Sequence, residues 1–133
     1  MNAQEKYDYW LDIAQYDLET ADTMLSGGRW LYVVFMCQQA IEKLVKGLYV
    51  IYVDDNVPKI HNIRVIFERF EDCFPDKPTD EYYNLFEDLT VHYLNGRYAD
   101  YKQKLSERLN KHISAEFLKR TKGVFTWLLT LKL

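Results

Sequence analysis

Cysteine is nearly absent, and that absence removes whole classes of chemistry. The 133-residue chain holds two, Cys37 and Cys73, too few for a disulfide framework and without metal-ligand spacing. Reduced thiols are therefore the expectation. Five glycines and three prolines leave little material for linkers or low-complexity tracts. Ser26, Ser106 and Ser114 occur in no nucleophile turn, and no glycine-rich phosphate loop exists. His61, His92 and His112 are widely spaced with no metal-binding cluster around them, so each reads as a packing or surface histidine. No cofactor and no metal are expected. Long apolar runs are missing too: Gln38 and Gln39 interrupt the longest candidate well before the roughly 20 residues a bilayer requires. The opening "MNAQEKYDYW" lacks the basic-then-apolar order of a secretory signal. A cytoplasmic protein without membrane attachment is the expectation.

What the chain does contain is an ordinary globular balance, 48% hydrophobic and 28% charged, which argues against disorder. Its length suits one domain over residues 1–133, able to bury roughly two-thirds of its unfolded surface. Eleven Tyr, seven Phe and three Trp supply large side chains for a core or an interface. The net charge of −3 is unevenly spread. Residues 1–25 carry six acids against Lys6, whereas residues 102–122 carry seven Lys and Arg against Glu107 and Glu116. Either the two ends neutralise each other or the basic region attracts a phosphate-bearing ligand. The acidic total argues against general nucleic-acid binding.

Apolar residues recur at helical spacing almost throughout, and no alternating run suggests a sheet. A first helix is predicted from about Gln4 to Ser26, with Trp10, Ile13, Ala14, Asp17, Leu18, Ala21 and Leu25 on one stripe, ended by Gly27 and Gly28. A second covers roughly Trp30 to Val53 and stops at "DDNVPK". Asn62 caps a short helix through about Phe74. Thr79 or Asp80 starts another, carrying Tyr82, Leu85, Phe86, Leu89 and Tyr93 and stopped at Gly96. Ser114 followed by Glu116 reads as the start of the last, whose inward stripe is Phe117, Thr121, Val124, Phe125, Leu128 and Leu131. Short connections between long amphipathic helices predict an all-α, up-and-down antiparallel bundle of four main helices plus a short fifth.

Two segments stand out chemically. In "FMCQQAIEKLVKG" the polar residues Gln38, Gln39, Glu42, Lys43 and Lys46 share one wide helix face, with Glu42 preceding Lys46 in the favourable order. That pattern suits a solvated face with one surface ion pair, or a ligand site. Just upstream, Trp30 to Cys37 is apolar all round, so either neighbouring helices or a second protomer must cover it. In "HYLNGRYADY", Arg97 follows a helix stop and is flanked by tyrosines. Its guanidinium could receive phosphate or carboxylate, or pair with an acid such as Glu42.

Together with "WLDIAQYDLETADTML" and "PKIHNI", these segments resemble the HEPN family, the higher eukaryotes and prokaryotes nucleotide-binding domain, over most of the chain. The resemblance implies a helical bundle that usually dimerises and often works beside a separately encoded minimal nucleotidyltransferase, as in a toxin–antitoxin-like pair. Carried over by position, it implies that Lys43, Lys46 and Arg97 contact phosphates of a nucleotide or RNA. Gln39 would hydrogen-bond a sugar or base edge, Tyr93 or Tyr98 would stack, and Glu42 would orient a lysine or arginine. Ribonuclease members of the family use an arginine followed by a histidine after four to six intervening residues. No arginine here meets that spacing: Arg108 and His112 are separated by three residues, and His92 precedes Arg97. The expectation is a noncatalytic, dimeric binding module. The alternatives are a metal-independent ribonuclease toxin using Arg108 and His112, and a purely structural helical partner.

Overall fold

The computed structural model describes residues 1–96, 104 and 107–132. Among these residues the chain forms helices and no strand: α1 (Ala3–Ser26), α2 (Trp30–Tyr52), α3 (Ile63–Glu68), a 3-10 turn at Glu71–Cys73, α4 (Asp80–Asn95) and α5 (Lys111–Leu129). The fold is an all-α up-and-down bundle of four long helices with a short fifth. None of the described helices is long and apolar enough to cross a membrane.

Polar side chains at the helix starts set the boundaries. Asn2 accepts from the Glu5 amide at 2.8 Å, Asn62 from Val65 at 3.2 Å and Thr79 from Tyr82 at 3.4 Å, each satisfying an amide that no helical carbonyl can reach. At the first corner Gly28 takes a φ of 73°, a conformation that side-chain-bearing residues rarely adopt. Two predicted boundaries shift. The short helix ends at Glu68 rather than near Phe74, and a 3-10 turn carries the chain onward. The last helix begins at Lys111, because Asn110 accepts from the Ile113 amide at 2.9 Å and is the cap. Ser114 lies inside that helix, buried, with its hydroxyl donating to the Trp30 carbonyl at 3.4 Å.

α2 is the axis of the bundle. It packs on α1, α3, α4 and α5, and its buried positions run all round it. Leu31, Val33, Val34 and Cys37 are covered from within the chain, so the apolar segment before Gln38 is largely accounted for by neighbouring helices. Burial pushes the Cys37 thiol up to about 12, which suits a side chain acting as a small hydrophobe. A single apolar cluster links α1 to α5 through Ala14, Ile41, Leu44, Ile66, Phe86 and Phe125.

The most extensive interface is that between α1 and α2. Its closest approach is at Gly47, where an added Cβ would lie 3.0 Å from Cβ of Trp10 and 3.3 Å from Cδ2 of Tyr7. Gly123 on α5 is the opposite case, with no atom within 4 Å of the same position. Gly47→Val is expected to lower stability by about 1–3 kcal/mol through overpacking. Gly123→Ala is expected to raise it by about 0.5–1 kcal/mol through helix propensity. Urea unfolding midpoints of the two variants, moving in opposite directions, are the check.

Candidate functional site

A helix repeats its direction nearly every four residues, so Gln38, Glu42 and Lys46 form one column on α2 and Gln39 and Lys43 the next. The first column faces the interior. Gln38 is 0% exposed, Glu42 4% and Lys46 7%. The Glu42–Lys46 pair, expected at the surface, is therefore a buried ion pair; α4 and the loop before α3 lie over that side of α2.

Glu42 collects three donors. Gln38 Nε2 and His61 Nδ1 approach one carboxylate oxygen at 2.9 Å each, and Lys46 Nζ approaches the other at 3.2 Å. Gln38 also donates to the His61 carbonyl at 3.4 Å, and Gln39 donates to the Gln38 amide oxygen at 3.1 Å. No buried side-chain nitrogen or oxygen among the described residues lacks a partner. Such completeness matters, because a charge taken out of water is tolerated only when its remaining hydrogen-bonding capacity is met.

The second column turns to α1. Lys43 Nζ lies 2.5 Å from Oδ2 of Asp17, which is 6% exposed. Asp17 sits in the predicted apolar stripe of α1, and its half-buried partner Lys43 explains a buried carboxylate there. Both lysines assigned to phosphates by resemblance are thus engaged with acids of the same chain.

Around His61 the surroundings become aromatic. Its ring centroid lies 5.0 Å from that of Tyr93 on α4, and the row continues through Phe35 at 6.0 Å to Tyr32 at 5.8 Å from Phe35. Gly96 permits this corner: an added Cβ would fall 2.6 Å from the Phe35 ring. The structure therefore brings Glu42 and Tyr93 against His61, with Lys46 on the other oxygen of Glu42, Gln39 joined through Gln38, and Lys43 turned to Asp17. Arg97 and Tyr98 lie outside the described residues.

The other candidate pair is separated. Arg108 and His112 are both exposed, and between them Asn110 takes the extended values φ −137° and ψ −179°. They do not share a helix face. His112 instead borders a shallow groove of about 220 Å³ with Ile113, Glu116, Phe117 and Arg120. Arg120 is occupied by Asp88 at 3.2 Å and lies over the Phe117 ring at 5.6 Å. The acidic first helix and basic last helix meet through Lys122 and Asp22 at 2.8 Å. Lys104, Arg108, Lys111 and Lys119 remain exposed.

Three members of the network were not singled out as site residues from the sequence. Asp17 and Gln38 carried a signal, since a polar residue in an apolar stripe implies an internal partner. His61 carried less, because its link to Glu42 crosses a loop.

The HEPN domain family model matches residues 7–131. No curated protein matches the chain. Among solved structures, TT1696 from Thermus thermophilus is 21% identical with a TM-score of 0.77, covering 98% of both chains. ST0689, described as an archaeal HEPN homologue, is 20% identical with a TM-score of 0.71, covering 98% of this chain and 97% of its own. At these identities the two structures establish a shared fold.

Removing one partner of a buried ion pair strands the other charge. Glu42→Ala is therefore expected to cost about 3–5 kcal/mol of unfolding free energy, and the double variant Glu42→Leu with Lys46→Met to recover at least half of it. Equal losses in the single and double variants, measured by chemical denaturation, would contradict a buried, coupled pair.

Proposed function

The chain belongs to the HEPN domain family, and from that premise we propose that it is a noncatalytic module that binds a nucleotide or RNA, acting as a homodimer beside a separate minimal nucleotidyltransferase. The observation that carries this reading is the polar network on α2. Buried ionic networks are poor sources of stability compared with apolar packing of the same volume. One that ends in a part-exposed histidine beside an aromatic ring offers a recognition surface in addition to an internal anchor. The cap at Asn110 supports the noncatalytic side of the proposal, since it parts Arg108 from His112.

In this reading Gln39 and Tyr93 offer an amide and a ring face at the rim, and Arg97 with Tyr98 supplies the phosphate fork and a second ring. Lys43 and Lys46 reach phosphate only by exchanging Asp17 and Glu42 for the ligand, so they serve first to hold the rim in place. Dimer formation is supported by the apolar side chains at one end of the bundle. Val91 and Leu94 on α4 and Ile113 on α5 are exposed there, near half-buried Trp30, Phe35 and Met36. A second copy covering such a patch would gain about 1.5–3 kcal/mol for each large side chain fully buried.

Nucleotide monophosphates and short RNA at saturating concentration are expected to stabilise the protein by about 2–3 kcal/mol when present at roughly 100 times Kd, read as a rise in Tm. RNA incubated with the protein without added metal is expected to stay intact. Cleavage abolished by Arg108→Ala or His112→Ala would overturn the noncatalytic assignment, and an unchanged Tm with every ligand would overturn binding. Arg97→Ala is expected to weaken binding by about 1–3 kcal/mol with the unfolding midpoint retained. Lys43→Ala is compared with the Lys43→Ala/Asp17→Asn double, which removes the stranded carboxylate.

A further inference from the structure

His61 belongs to a loop, yet its position is fixed more tightly than most loop residues. Its ring nitrogen Nδ1 is held by Glu42 at 2.9 Å, its carbonyl by Gln38 Nε2 at 3.4 Å, and its ring face by Tyr93. The next two residues are fixed as well, because Asn62 caps α3 and the Ile63 amide donates to the Thr90 hydroxyl at 3.3 Å. Glu42 and Gln38 are themselves buried, so α2 presents the imidazole on a rigid support. The imidazole side chain is nonetheless 39% exposed.

The orientation decides what that exposed edge can do. A carboxylate can only accept, so Nδ1 donates to Glu42, and a neutral imidazole donating from Nδ1 carries its lone pair on Nε2. Lys46 Nζ lies against the other oxygen of Glu42 at 3.2 Å. Nε2 makes no hydrogen bond among the described residues. It is therefore a positioned acceptor, beside the ring of Tyr93, in a site whose buried charges cancel. An ionised phosphate has no proton to offer such a group. A neutral hydroxyl does.

We propose that His61 Nε2 accepts a hydrogen bond from a ribose 2′-hydroxyl, with the nucleobase against Tyr93, so that the site selects ribonucleotides over deoxyribonucleotides. This inference rests on the nucleotide-binding reading and places the sugar at His61, leaving the phosphates to basic groups outside the Glu42 network. His61 acts here as a specificity-determining residue and transfers no proton. A 2′-hydroxyl both donates and accepts, and it is the group by which a protein tells RNA from DNA at a given position.

The test titrates the full-length protein calorimetrically with AMP and with 2′-deoxyadenosine monophosphate, using wild type, His61→Phe and His61→Gln. Wild type is expected to prefer AMP by about tenfold, as for one hydrogen bond to a fixed acceptor. His61→Phe, which keeps the ring but not the acceptor, is expected to bring the two affinities within twofold of each other. His61→Gln, whose amide oxygen can replace the acceptor, is expected to restore part of the preference. Equal affinities in wild type, or a preference that survives His61→Phe with its fold intact by circular dichroism, would overturn the sugar contact while leaving nucleotide binding standing. Binding of neither monophosphate by wild type would overturn the sugar contact, and the reading beneath it would fall as well if short RNA also left Tm unchanged.

Discussion

The interior of this bundle is organised around one carboxylate. Glu42 lies halfway along the helix that every other helix packs against, and it ties three elements together: α2 through Gln38 and Lys46, the loop before α3 through His61, and by way of the His61 ring, Tyr93 on α4. Apolar packing resists sliding only weakly, because a Leu on one helix can find another groove at modest cost. A carboxylate with three directional donors has one arrangement that satisfies it. The network therefore acts as a register pin among elements whose apolar faces alone would tolerate several registers.

The second pair, Lys43 with Asp17, does the same for the interface between α1 and α2. These two helices meet most closely at Gly47, where Trp10 and Tyr7 leave space for a hydrogen and little more. One turn earlier on α2 stands Lys43. Close approach and a charged anchor on the same interface fix both the separation and the stagger of the hairpin. α2 thus carries two columns of polar residues for two different neighbours, and its composition, oily yet lysine-bearing, follows from packing against every other long helix.

Much of this was legible beforehand. Periodicity and capping residues locate helices because both signals are local: Asn62 and Thr79 do their work within three residues of where they stand. The start of the last helix falls elsewhere than expected for the same kind of reason, since a serine is as acceptable a cap on paper as an asparagine. Tertiary contact decides between them, and the Trp30 carbonyl takes the serine. Polarity on α2 was visible but its burial was not. A Glu and a Lys four residues apart look identical at the surface and in a core, and only the helices packed over them distinguish the two. Asp17 in an apolar stripe was the clue that pairing is internal. His61 lay beyond such reasoning, because a loop residue's direction depends on the path between α2 and α3.

The same burial constrains where an anionic ligand can be received. A lysine whose ammonium already rests against a carboxylate presents no net charge, and its partner repels a phosphate approaching the pair. Attraction must then come from cations held outside both columns. On the described surface the exposed cations outside both columns include Arg29, Lys59 and Arg69 as well as Lys104, Arg108, Lys111 and Lys119. Any phosphate contact therefore falls to exposed cations of this kind and not to Lys43 or Lys46, whose charges Asp17 and Glu42 already meet.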